Sequence, residues 1–273
     1  MMNKTALDAY WGFSAQTFRR FLFLPYLFAV FSMGTALMLI VAPSLSSQDV
    51  GVLLREDFSD LENWRSLYFP KISRHTSYTV EDNGTATFLR AEGDGSASAL
   101  VYQSNFNVYD YPMAKWRWKV ENIYQNTDPE TKSGDDYSLR IYILFRYNPE
   151  MADFFDKVKY GLAKTLYGEY PPHSTLSYVW ANSEEQDTII TSPYTDRARL
   201  VALKKGNGKT KTWQDEEVNI LEDYRKAFQE DPPALASIAV MNDSDNSGQK
   251  SVSFLDYIEV FAYANQTSNR RGM

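Results

Sequence analysis

Cysteine is absent from this 273-residue chain, which excludes a disulfide framework, a thiolate metal site and a cysteine nucleophile. Histidine is almost absent: His75 and His173 are the whole complement. A zinc centre or a Ser-His-Asp triad is therefore disfavoured, and acid–base chemistry would fall to carboxylates, Tyr or Lys. An excess of positive charge is also missing. The formal net charge is −7, and Lys4, Arg19 and Arg20 against Asp8 make the stretch up to Ser46 basic, so the remainder is more acidic still. That balance argues against nucleic acid as a partner. No internal repeat is visible.

Aromatic residues are abundant. The 19 Tyr, 16 Phe and 6 Trp favour strands and aromatic-lined surfaces over a helical bundle. The length allows one large β domain or two small ones, each with a core that needs no cross-links.

The most informative stretch is residues 113–147. Apolar and charged residues alternate at period two on both sides of a polar, acidic loop at 126–134, which predicts two long strands. Ala114, Trp116, Trp118 and Val120 share one face of the first strand, with Lys115, Arg117, Lys119 and Glu121 on the other. On the second, Tyr137, Leu139, Ile141, Ile143 and Phe145 make the apolar face, and Ser138, Arg140, Tyr142, Leu144 and Arg146 the amphipathic one. Such a pair would organise a sandwich core.

Residues 21–42 form an uncharged apolar run preceded by Arg19-Arg20. The run reaches the ~20 residues that a membrane-spanning helix needs, and the basic flank keeps residues 1–20 cytoplasmic. It is either a transmembrane anchor or a long signal segment, since Ser44-Leu45-Ser46 offers a small-x-small cleavage site. Both readings place the rest of the chain outside the cytoplasm, in the periplasm or at the cell exterior. If uncleaved, the chain is a single-pass inner-membrane protein.

From Val52 onward, short strand-like segments alternate with turn signals such as Asn83-Gly84. Asn148-Pro149-Glu150 opens a predicted amphipathic helix at 150–167, and Asn219 with Glu222 makes a capping box for a short helix ending near Gln229. The expected fold is all-β: one antiparallel, jelly-roll-like β-sandwich over 48–264 with two short helical insertions, followed by a disordered tail at 265–273.

Trp116-x-Trp118, Gly134-Asp135-Asp136 before Arg140-Ile141-Tyr142, the run from Leu176 to Trp180, and the run from Asn242 to Gly248 together resemble one bacterial family. That family is the exported domain-of-unknown-function family 3047, and the resemblance runs over residues 52–262. It implies a jelly-roll-like sandwich of the kind seen in carbohydrate-binding modules, and it implies no activity. The opening Arg55–Asp60 and closing Phe254–Glu259 segments are similar to the terminal strands of such modules. In those modules nearby oxygens often hold a structural calcium, for which Asp57, Asp60 and Asp256 are the candidates here. The plainer alternative makes them turn caps and solvated edge charges. The run from Asp243 to Gly248 mimics the start of a calcium loop, yet Phe254 stands where the bidentate Glu belongs.

Candidate ligand residues lie on the same faces. Asp136, Arg140 and Tyr142 would form a polar cleft, with Asp136 and Arg140 bonding sugar hydroxyls and Tyr142 stacking. Alternatively, that face makes cross-strand ion pairs with Lys115, Arg117 or Lys119. Arg140→Ala is expected to impair ligand binding more than folding, at a cost of only about 0–1 kcal/mol as for a surface ion-pair member. Trp180 and Trp213 are candidate sugar platforms, while Trp116 and Trp118 are expected in the core. The functional expectation is an exported, membrane-associated envelope protein that binds a glycan or polysaccharide. The alternatives are a carboxylate-dependent glycan-cleaving enzyme and a scaffold for another envelope protein.

Overall fold

The computed structural model describes residues 50–150 and 170–263, which build two facing β-sheets. The first sheet contains β1 (Val50–Glu56), β3 (Ser77–Asp82), β4 (Thr87–Asp94), β7 (Met113–Val120), β12 (Gln214–Asn219) and β14 (Lys250–Tyr263). Its order is β12-β7-β14-β4-β3, with β1 also on β14. The second sheet contains β2 (Trp64–Leu67), β5 (Ala97–Tyr102), β6 (Phe106–Asn107), β8 (Arg140–Phe145), β9 (Ser174–Ala181), β10 (Ile189–Thr191), β11 (Ala198–Lys205) and β13 (Leu235–Asp243). Its order is β10-β11-β9-β8-β13-β5-β2, with β6 on β13. Pairing is antiparallel except between β9 and β11, because β11 inserts between β9 and β10.

The expected sandwich is present, but its two leading strands are not partners. β7 pairs with β12 and β14, whereas β8 pairs with β9 and β13 in the other sheet. Residues 121–139 therefore cross between sheets instead of closing a hairpin. Period-two alternation reports which face is buried and says nothing of which strand lies alongside, so both topologies leave the same pattern. The predicted cross-strand ion pairs between the face of Asp136, Arg140 and Arg146 and the β7 cations are excluded by this crossover. Those cations pair within the first sheet: Lys115 with Glu259 at 2.6 Å, Arg117 with Asp256 at 3.5 Å and Lys119 with Glu121 at 3.0 Å.

Between the sheets, Trp116 meets Tyr178 at 5.3 Å and Trp118 meets Trp180 at 5.8 Å between ring centroids. These contacts join β7 to β9 and tie one layer to the other. At ~200 Å² of apolar area per ring and ~25 cal/mol per Å², each indole contributes about 5 kcal/mol of gross burial. Trp118 donates its Nε1–H to Glu216 at 2.9 Å, and Lys204 of β11 pairs with Glu216 at 2.5 Å. This polar seam joins the two sheets beside the indoles.

The Asn219 half of the predicted capping box is present. α1 (Ile220–Phe228) starts at Asn219, whose Oδ1 accepts from the Glu222 N–H at 3.1 Å, and ends at a left-handed Gln229. Its Tyr224 packs on Phe145 at 4.5 Å, so the helix covers one end of the core. The other predicted helix, at 150–167, lies outside the described residues apart from its cap, where Asn148 Oδ1 accepts from the Glu150 N–H at 2.9 Å. Residues 1–20, the run at 21–42 and the tail at 265–273 also lie outside them. Among the described residues, no helix is long and apolar enough to cross a membrane.

Candidate functional site

Arg140 sits on the second sheet's outer face, as the alternation requires, yet it is only 4% exposed. All three of its guanidinium nitrogens are engaged. Nε donates to Asp243 Oδ1 and Nη1 to Asp135 Oδ1, each at 2.9 Å, while Nη2 reaches both Asp243 Oδ2 and the Asp135 carbonyl. The Tyr137 ring lies 4.6 Å away and stacks on the same cation. Asp135, not Asp136, is therefore the near partner. Asp136 instead accepts from Asn246 Nδ2 at 3.0 Å and the Ser247 N–H at 2.6 Å, which pins the turn after β13. A sugar-binding role for Asp136 and Arg140 is replaced by a buried ionic knot that fastens the crossover to that turn.

Asp136, Asp243 and Asp245 bring their oxygens within 4.8 Å of one another. Protein donors already occupy much of this set. Both Asp243 oxygens are committed to Arg140 and the Tyr137 N–H, both Asp136 oxygens are committed to the turn, and a guanidinium already supplies the positive charge. In this structure the calcium-loop-like turn donates to Asp136.

Burial pushes the Asp243 carboxyl up from 3.8 to about 7, with Asp136 and Asp135 adding repulsion, although Arg140 pulls the other way. Asp135 is raised for the same leading reason. A raised acid stabilises the fold through its bound proton, and that stability is fully present below 3.8 and lost as pH rises through about 7. Across that window the wild-type melting temperature should fall relative to that of Asp243→Asn. Thermal unfolding of both proteins at matched pH values reads the difference. A relative gain for wild type with rising pH would mean that Arg140 holds Asp243 ionised.

The remaining predicted residues are dispersed. Tyr142 is half-buried against the Ala97, Ala99 and Met241 cluster, its hydroxyl 3.7 Å from Met241 Sδ. Trp180 is completely buried and cannot stack on a sugar. Trp213 is half-buried beside Phe88 and Phe254, with Arg117 and Lys119 over its ring at 5.6 and 5.5 Å. Its ring already serves as a cation–π partner. Asp57 and Asp60 cap turns through the Ser59 and Glu62 N–H groups, and Asp256 pairs with Arg117. These three do not converge as a ligand set.

The cavity the sequence did not disclose lies where three loops meet. One lobe of about 580 Å³ runs between residues 123–127, 182–185 and 206–208, and an adjoining one of about 350 Å³ is walled by 127–130, Ser183, 185–187 and Ile190. Thr127, Ser183 and Glu185 belong to both, so the lobes form one cleft. Asn182 braces it from beneath. Its Nδ2 donates to the Asp136 carbonyl at 2.7 Å and to Thr127 Oγ1 at 3.1 Å, while Oδ1 accepts from the Tyr124 N–H at 3.0 Å. The ionic knot thus supports the cleft floor through Asp136. Gly134 is needed for the same loop, because a Cβ there would lie 2.2 Å from the Asp128 carbonyl oxygen, a backbone atom that cannot step aside. On the far wall, Trp180 Nε1 donates to the Gly206 carbonyl at 3.1 Å. The cleft surface offers hydroxyl, amide and carboxylate groups from Asn126, Thr127, Asn182, Ser183, Glu184 and Asn207. Loop placement and acidic turns such as Ser183-Glu184-Glu185 were the sequence signals available for it.

No curated protein matches the chain. Among solved structures it is similar to the family 11 carbohydrate-binding module of Clostridium thermocellum in complex with a β-1,3-1,4-mixed-linked tetrasaccharide, at 11% identity and a TM-score of 0.41, covering 79% of this chain and 96% of that one. It is also similar to Trichoderma harzianum endoglucanase 3 of family GH12, at 10% identity and a TM-score of 0.37 over 80% and 98% of the two chains. A third likeness is the CBM22-1 xylan-binding domain of Paenibacillus barcinonensis Xyn10C, at 10% identity and a TM-score of 0.31 over 80% and 97%. Likenesses this distant carry no argument about ligand or activity. The family comparison is of another order: the model described as Protein of unknown function (DUF3047) matches residues 62–259, and the chain belongs to that family.

Proposed function

We propose that this protein is a glycan-binding module whose ligand lies across the two-lobed cleft at the loop end of the sandwich. The observation that carries the reading is the cleft itself: two joined lobes of about 580 and 350 Å³ lined by hydroxyl, amide and carboxylate groups on braced loops. Vicinal sugar hydroxyls each donate and accept, so they are matched by such a mixed lining, and orientation comes from a few fixed polar groups. Recognition here rests on hydrogen bonding, since the predicted aromatic platforms are buried or already stacked.

A glycan array of the full-length protein, followed by titration calorimetry on the hits, tests this. Asn182→Ala should weaken any hit by about tenfold or more, because it removes the brace and a lining amide together. Asp57→Ala and Asp60→Ala, remote turn caps, should leave affinity unchanged. Equal affinity for the Asn182 variant would move the site away from the cleft.

The apolar run at residues 21–42 behind Arg19-Arg20 supports a sandwich held outside the cytoplasm, by an anchor or after cleavage. A reporter fused after residue 264 should then be active only outside the cytoplasm. Cytoplasmic activity would overturn that placement.

A further inference from the structure

A second cavity lies on the outer face of the second sheet. It measures about 490 Å³ and shares no lining residue with the cleft. Leu100, Ile143 and Ile238 belong to the core, so alternation turns Val101, Leu144 and Ser237 outward, where they floor this groove together with Leu67. Its lining carries Arg65 and Arg146 and no carboxylate, in a chain whose net charge is −7.

Arg146 differs from most of the other arginines. It is exposed, its backbone N–H is fixed by the Leu235 carbonyl at 2.8 Å, and among the described residues it forms no ion pair. Arg55, Arg74, Arg90, Arg117 and Arg197 each hold an acid. A guanidinium beside a wall without carboxylates is matched by an anion, because its planar fork binds a pair of anionic oxygens. Arg65 on β2 and Arg146 at the end of β8 are separated by β5 and β13, three strand spacings or ~14 Å, a span suited to a ligand whose acids recur along its length.

We propose that this groove is a separate binding site for an anionic oligosaccharide, carboxylated or sulfated. Its acids meet the two guanidiniums, its hydroxyls meet the Asn105 amide, the Gln103 carbonyl oxygen and the Ser237 hydroxyl, and the C–H face of a ring lies on Leu67, Val101 and Leu144. An acidic peptide suits the floor less well. β5, β13 and β8 are each paired on both sides, so they leave no strand edge for a peptide backbone to join.

The test titrates the full-length protein, in low and high salt, with a galacturonate hexamer, its methyl-esterified counterpart, a sulfated hexasaccharide and a glutamate hexapeptide. The galacturonate or the sulfated sugar should bind about tenfold or more tightly than the methyl ester, salt should erode that preference, and the tighter of the two names the anion. Arg146→Gln should remove most of the preference while the protein melts cooperatively. Arg197→Gln removes the same charge from an exposed pair outside the groove and should leave binding unchanged. Equal binding of the methyl ester, wild-type binding by Arg146→Gln, or an equal loss in Arg197→Gln overturns the site. Binding of the glutamate hexapeptide as tight as that of the sugars overturns the saccharide assignment, and binding of no anion overturns the proposal whole. None of these results bears on the cleft, which Asn182→Ala reads separately.

Discussion

Arg140→Ala is expected to lower the unfolding free energy by about 3–5 kcal/mol, the range for removing one partner of a buried ion pair. The sequence expectation for the same substitution was about 0–1 kcal/mol, the value for an exposed pair. The decisive fact is exposure: the Arg140, Asp135 and Asp243 side chains are all 6% exposed or less, and the guanidinium bonds both acids. Without it, two carboxylates face each other in a desolvated pocket with Asp136 close by. Arg140→Lys should recover little, because a single ammonium cannot reproduce the fork that binds Asp135 and Asp243 together. Replacing all three, Arg140→Met with Asp135→Asn and Asp243→Asn, should recover much of the loss, since no uncompensated charge remains. Urea midpoints with unchanged slopes measure these differences. A loss under about 1 kcal/mol for Arg140→Ala would mean that the knot is open to water.

Trp180→Ala should destabilise by a comparable 3–5 kcal/mol, the range for deleting a large aromatic from a close-packed core. It should also weaken binding in the cleft. Trp180 is fully buried, meets Trp118 of the opposite sheet at 5.8 Å and holds the Gly206 carbonyl through its indole N–H. The cavity left behind would loosen the aromatic bridge between the sheets, and the turn at 206–208, left with the Gly206 N–H to Ala181 carbonyl bond at 2.9 Å, forms one wall of the larger lobe. Trp180→Phe separates the two effects. It keeps most of the ring, loses the hydrogen bond, and should cost about 1–3 kcal/mol through an orphaned carbonyl and a smaller ring. Stability alone would change if the Gly206 turn were held by other contacts, and the link between core and cleft would then be lost.

Several elements were decided locally, and these were legible in the sequence. Asn219 caps α1 because its short side chain reaches the Glu222 N–H three residues on. Asn83-Gly84 turns the β3–β4 hairpin, with Gly84 at φ 81° accepting a conformation that a side chain resists. The inward faces of β7 and β8 were set by alternation, because burial on one side of a strand repeats every second residue. Absence of cysteine likewise excluded disulfides and thiolate chemistry, and scarcity of histidine disfavoured a zinc centre or a Ser-His-Asp triad.

Tertiary structure decided the rest. That β7 and β8 lie in different sheets depends on pairing across long sequence separations, for which an alternating pattern carries no address. The fate of Arg140 depends on it: the residue occupies the predicted outer face, yet Asp243, 103 positions away, and the Asp135 loop close over it. A polar residue on a strand's outer face looks the same in sequence whether water or a loop covers it, because burial there is set by what folds back from elsewhere. The cleft is the extreme case. Its walls come from three loops that acquire a common location only after the sheets stack, so the sequence could supply its acids and amides but not their convergence.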